Sequence, residues 1–180
     1  MVYLFLAEGF EEIEALTVVD LLRRAEIGIT TVSITDTQKV TGAHLITVEA
    51  DVLFNDINYN EAEMLVLPGG MPGTKHLGEY EPLVQLLKDF HRQNKEIAAI
   101  CAAPSVLGIN GILKGKRATC YPGFEGKLIE AVYTASKTEE DGNIITGKGM
   151  GTAIDFSLKI IEKLRDKAMA DKIATSIQYV

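Results

Sequence analysis

Three uninterrupted apolar runs, Val2–Ala7, Met64–Leu67 and Ile97–Ile100, leave this chain little choice of fold. Each has the length of a strand and lacks the apolar–polar alternation of a strand with one wet face, so each reads as buried on both sides. Between them lie segments with helical spacing, including Glu11–Ala25 and Glu81–Gln93. Alternating strand and helix of this kind predicts a parallel sheet with helices on both faces. Further strands are expected at Ile29–Ile34 and around Ala131–Thr134. Hairpin-like pieces are expected over Asp36–Asp56, with a Thr41–Gly42 turn, and a second hairpin turns at Asp141–Gly142–Asn143. A short helix is expected at Pro104–Asn110, a long one at Gly151–Leu164 and a last one around Ala168–Ser176. Residues 1–180 read as one domain, a length that buries a core without disulfides or metals.

The balance of 18 basic against 25 acidic residues, a net charge of −7, argues against nucleic acid as a main partner. No apolar run approaches a membrane span, and Met1–Ala7 has neither the basic flank nor the cleavage site of a signal peptide. With two cysteines, Cys101 and Cys120, a disulfide framework is not expected and a cytoplasmic location is.

Function in a parallel sheet gathers where strands end and helices begin. There, Ile97-Ala98-Ala99-Ile100 runs straight into Cys101, followed by Ala102-Ala103-Pro104. Small neighbours permit a sharp strand-to-helix turn, the steric demand met by a nucleophile elbow, and a helix N-terminus behind the sulfur favours thiolate. The alternative is a buried structural thiol. Leu67-Pro68-Gly69-Gly70-Met71-Pro72-Gly73 is a loop able to bring bare amides to a ligand, or only a tight turn. In Glu11-Glu12-Ile13-Glu14, acids suit a helix start, but Glu14 falls on or beside a stripe containing Ile13 and Leu16, where a carboxyl needs a task or a partner. Gly147-Lys148-Gly149-Met150-Gly151-Thr152 lacks the order of a phosphate loop and reads as a holder for the helix after it. His44, His76 and His91 have no metal-ligand spacing with either cysteine and read as surface or loop residues; no metal or other cofactor is expected.

Taken in order along nearly the whole chain, Ala7–Glu14, Val66–Gly70, Ala98–Pro104 and Ile145–Thr152 resemble the ThiJ/PfpI superfamily. The nearest likeness is to the branch containing the parkinsonism-associated protein and its bacterial relatives. The resemblance implies a flavodoxin-like three-layer α/β sandwich, similar to class I glutamine amidotransferases, and a homodimer. It places the family's cysteine at Cys101 and its protonated glutamate, a donor to the sulfur, at Glu14, with the amides of Gly70 and Ala102 around the reacting group. A Cys101 pKa below the ordinary thiol value is then expected. Two departures stand out. The protease-like branch has a histidine where this chain has Ala102, and Tyr121 before Pro122 takes the place of a histidine near the site, leaving Tyr121 as an auxiliary candidate. Lys148 stands where some relatives have arginine. The implied activity is cysteine-dependent action on small aldehydes or glycated adducts without glutathione, of glyoxalase or deglycase type. The competing reading is a redox sensor or chaperone whose Cys101 becomes a sulfinate; a protease is the weaker third.

Overall fold

The computed structural model describes residues 1–179. The strands are β1 (Val2–Leu6), β2 (Ile29–Ser33), β3 (Lys39–Thr41), β4 (Thr47–Glu49), β5 (Val52–Leu53), β6 (Met64–Leu67), β7 (Glu96–Ile100), β8 (Arg117–Ala118), β9 (Val132–Tyr133), β10 (Thr138–Asp141) and β11 (Ile144–Gly147). The helices are α1 (Glu12–Arg24), α2 (Gly73–Glu79), α3 (Glu81–Arg92), α4 (Pro104–Ile109), α5 (Ala153–Leu164) and α6 (Lys167–Ser176). A seven-stranded sheet runs β10-β11-β7-β6-β1-β2-β5, parallel except for the β10–β11 hairpin. β3–β4 and β8–β9 form small separate pairs.

Period-two alternation splits each inner strand between two cores. Ala98 and Ile100 of β7 face one way, with Leu4, Leu6 and Val66, under α1, α5 and α6. Ile97 and Ala99 face the other, with Phe5, Leu65 and Leu67, under α2, α3 and α4. This is the flavodoxin-like sandwich expected from the unbroken apolar runs. Among the described residues no helix is long and apolar enough to cross a membrane.

Three details differ from the sequence reading. Helix α2 follows the glycine-rich loop directly, so His76 lies on a helix and not in a loop. Its seven residues are too few to display a helical period. The stripe of α1 is out by one residue: Ala15, Val18, Val19 and Leu22 pack on the sheet, whereas Ile13 and Leu16 are 52% and 39% exposed. Glu14 is therefore on the buried face outright, and the residues needing explanation are Ile13 and Leu16. His44, at the tip of the β3–β4 hairpin, is tied to the start of α1. Its backbone N–H and ring Nδ1 meet the buried Glu12 carboxylate at 2.8 and 2.9 Å, and those bonds hold Glu12 below the usual carboxylate range against the cost of burial.

Candidate active site

The carboxyl ends of β1, β6 and β7 are neighbours in the sheet, and each delivers one part of a single site. β1 leads through Ala7–Glu11 into α1, whose first turn carries Glu14. β6 ends in Pro68-Gly69-Gly70, and β7 ends at Cys101.

Cys101 has φ of 65°, the left-handed region that residues with a β-carbon rarely enter. The turn is pinned on both sides: Cys101 N–H donates to the Gly147 carbonyl at 2.9 Å, and Tyr121 N–H donates to the Cys101 carbonyl at 2.8 Å. The tight turn foreseen from the small residues around Cys101 is present, and it aims the thiol back over the strand ends. The backbone N–H groups of Ala102 and Gly70 face the sulfur and favour its thiolate form. α4 behind it has only six residues, so its dipole adds little to those two local amides.

Glu14 is fully buried. Its Oε2 accepts from Gly69 N–H at 2.8 Å and lies beside the Cys101 side chain across Gly69, while Oε1 has no partner. Gly69 is the residue that sequence reasoning missed. A β-carbon there would stand 2.6 Å from Cys101 Cβ, 2.7 Å from Glu14 Oε2 and 3.1 Å from Cys101 Sγ. Only glycine lets the thiol and the carboxyl meet. The signal was Gly69 ahead of Gly70: the turn requires glycine at Gly70, where φ is 90°, and Gly69 is one more than it needs.

Burial pushes Glu14 up to about 7, against the bonds from Cys101 and Gly69 that pull it down. Burial, then the charge of Glu14, push the Cys101 thiol up to about 12, with the Ala102 and Gly70 amides pulling the other way. The lowered thiol pKa expected from the sequence is thus reversed while Glu14 is ionised. Two acids in contact in a dry site do not both ionise. A thiolate at Cys101 requires the proton on Glu14, where it can be donated to the sulfur.

The remaining candidates separate. Tyr121 is half exposed and its ring edge packs near Gly149, while its backbone holds Cys101. Gly147 is a packing glycine: a β-carbon would meet Ile100 and Phe156 at 2.9 Å. The glycine motif containing it thus closes β11 against β7 and α5. Lys148 Nζ reaches the Ala135 carbonyl at 3.4 Å. Cys120 is fully buried in the core beneath α4, and burial raises its thiol to about 11. The nearest approach to a metal-ligand cluster among the described residues is Glu11, Glu12 and His44, within 4.8 Å of one another. Two backbone N–H groups already occupy Glu12 Oε1.

A cysteine in a strained strand-to-helix turn beside a buried carboxyl, at the carboxyl ends of a parallel sheet, defines an α/β sandwich protein with its candidate site at the strand ends. The chain belongs to the DJ-1/PfpI family, whose pattern matches residues 1–163. It is 36% identical over 174 residues to dj-1beta of Drosophila melanogaster, covering 96% of this chain and 93% of that protein. It is 35% identical over 175 residues to DJ-1 homolog B of Arabidopsis thaliana, covering 96% of this chain but 40% of the plant protein. The chain thus spans less than half the length of its plant relatives. Among solved structures it is similar to Toxoplasma gondii DJ-1, oxidized, with a TM-score of 0.95 and 36% identity over 99% of this chain and 98% of that one.

Proposed function

We propose that this chain is a stress-response protein that acts on small reactive carbonyls through Cys101, assisted by Glu14, without glutathione. The observation that carries the reading is the buried Glu14 carboxyl beside the Cys101 thiol across Gly69, with the amides of Gly70 and Ala102 facing the same sulfur. The thiolate adds to the aldehyde carbon of a 2-oxoaldehyde, and the alkoxide formed takes the Glu14 proton, giving a hemithioacetal. Glu14, now ionised, removes the proton from that carbon and returns it to the neighbouring one. The electron pair moves with it and the hydroxyl proton of the first carbon passes to the oxygen of the second, so the first carbon becomes a thioester and the second an alcohol. Water cleaves the thioester, releasing the hydroxyacid and the thiol. No outside oxidant enters, because one carbon is oxidised as its neighbour is reduced. Glycated adducts that release the same aldehydes belong to the same substrate class.

The test is hydroxyacid formation from methylglyoxal and from glyoxal with glutathione absent, wild type against Cys101→Ser. Lactate and glycolate from the wild type alone are expected; equal rates for both proteins overturn the reading. A redox sensor or chaperone is the second reading, favoured by the same amides and Glu14 proton, which suit sulfinate oxygens. The description of the similar Toxoplasma gondii protein as oxidized lends it support. Ala102, in place of a base beside the cysteine, speaks against peptidase activity. The exposed apolar side chains Ile13, Leu16, Leu45 and Ile46 support a homodimer formed over α1 and the hairpin tip. A cytoplasmic location, no nucleic-acid partner, and no metal or other cofactor complete the proposal.

A further inference from the structure

The turns that present amides to Cys101 have a second face. The Gly70 carbonyl accepts from Thr74 N–H at 2.9 Å, in the first turn of α2. The Ala102 carbonyl accepts from Ser105 Oγ at 2.6 Å and Ser105 N–H at 3.0 Å, in the first turn of α4. The Cys101 carbonyl holds Tyr121 N–H, the Tyr121 carbonyl holds Phe124 N–H at 3.1 Å, and the Phe124 carbonyl holds Lys127 N–H at 2.9 Å. Thr74, Ser105, Phe124 and Lys127 all line one cavity of about 380 Å³ between α2 and α4. Its three walls are therefore each bonded to the carbonyl of a residue, Gly70, Ala102 or Tyr121, whose own N–H faces Cys101, although Cys101 itself does not line it.

The chemistry of the cavity is specific. Met71, Val106, Ile109 and Phe124 make it mostly apolar, and the volume lies in the range of small-molecule sites. Of the two lysines on its rim, Lys75 is paired with Glu79 at 3.8 Å. Lys127 stands 5.1 Å over the Phe124 ring, and among the described residues no carboxylate lies within ion-pair reach of it. Thr74 is 4% exposed and its Oγ1 has no hydrogen-bond partner, an unfilled polar atom in the wall.

We propose that this cavity is a second ligand site, for a small carboxylate with an apolar, aromatic-sized body and a polar group at its far end, and that its occupancy alters Cys101. The carboxylate meets Lys127, the body fills the apolar space, and the distal polar group reaches the Thr74 wall. Filling the cavity moves or stiffens the Gly70, Ala102 and Tyr121 turns, and with them the amides on the sulfur. The site stands whether or not Cys101 turns over aldehydes.

The probe is 3-(4-hydroxyphenyl)propanoate, with tyramine as the oppositely charged control, measured by titration calorimetry on the full chain. Saturable binding of the acid is expected, at least tenfold tighter than the amine and weakened at least fivefold in Lys127→Gln. Gly78→Leu is the filling variant: a β-carbon at Gly78 would lie 3.4 Å from Val106, an ordinary contact, so the larger side chain occupies the cavity without breaking α2. It should abolish binding. Saturating acid should change the rate of Cys101 alkylation by iodoacetamide at least twofold in the wild type and leave Gly78→Leu unchanged. No saturable binding at millimolar acid, or equal binding by folded Gly78→Leu, overturns the site. An unchanged alkylation rate at saturation overturns its link to Cys101.

Discussion

Gly69 N–H donates to Glu14 Oε2 at 2.8 Å in a fully buried contact that spans 55 positions of sequence. The bond holds one carboxylate oxygen in place beside the Cys101 side chain, which lies across the same glycine. Which of the two acids keeps its proton then decides what the site can do.

Substituting Glu14 should separate charge from hydrogen bonding. Glu14→Gln keeps an N–H donor and removes the carboxylate that opposes thiolate formation, so its Cys101 should be alkylated at neutral pH at least as fast as in the wild type. Glu14→Leu removes the charge and the donor while burial remains, so its pH–rate profile should lie above that of Glu14→Gln by at least about one unit, a tenfold lower rate at fixed pH. Iodoacetamide kinetics across pH give the answer; superimposable profiles for all three proteins would dissolve the pairing.

Stability should carry the same signature. Glu14 titrates at about 7 in the folded chain against an ordinary 4.5. Between those values the folded state holds the proton that the unfolded state has released. Its contribution to stability is therefore full below 4.5 and is lost as pH rises through that window. Glu14→Gln has no such loss and should gain on the wild type by roughly 2–3 kcal/mol between about pH 4.5 and about pH 8. Urea unfolding of both proteins at the two values measures it, and a constant difference between them would refute it.

Gly69→Ala should be costly for its size. The added methyl meets Cys101 and Glu14 at 2.6 and 2.7 Å. Overpacking of this kind costs about 1–3 kcal/mol and should part the thiol from the carboxyl. Gly126→Ala, with nothing within 4 Å of its β-carbon, is the control. Chemical denaturation and Cys101 alkylation should single out position 69; equal effects at both positions would show that the contact yields freely.

At position 101 the usual ranking of alanine over glycine should invert. The φ of 65° suits glycine and penalises any β-carbon. Cys101→Gly should therefore be about 1 kcal/mol more stable than Cys101→Ala, neither of which retains the thiol. Thermal unfolding of the two variants decides it, and a more stable alanine variant would mean the turn carries no strain.

Much of this was legible in the chain. The unbroken apolar runs gave the parallel sheet, because only strands covered on both faces can afford no polar alternation. Ile100–Pro104 gave the position of the cysteine, since a buried strand ending in small residues and a proline has few other uses. Glu14 was singled out for the wrong neighbours: Ile13 and Leu16 looked like its stripe, yet they face outward, and periodicity cannot distinguish a core face from an apolar outer one. Helix α2 was too short to show a period. Gly69 and the tether from Gly147 to Cys101 depend on how distant strand ends meet, which no local pattern records.

The two outer strands of the sheet decide how the chain behaves when many copies crowd together. β5 offers two residues, and β10 is Thr138-Glu139-Glu140-Asp141, with Glu139 already paired to Arg117 and Glu140 to Lys163. A neighbour trying to extend the sheet would find one margin too brief to template a strand and the other lined with acids engaged by its own chain. Neither margin of so apolar a sheet therefore offers the long, flat, uncharged edge that templates sideways growth.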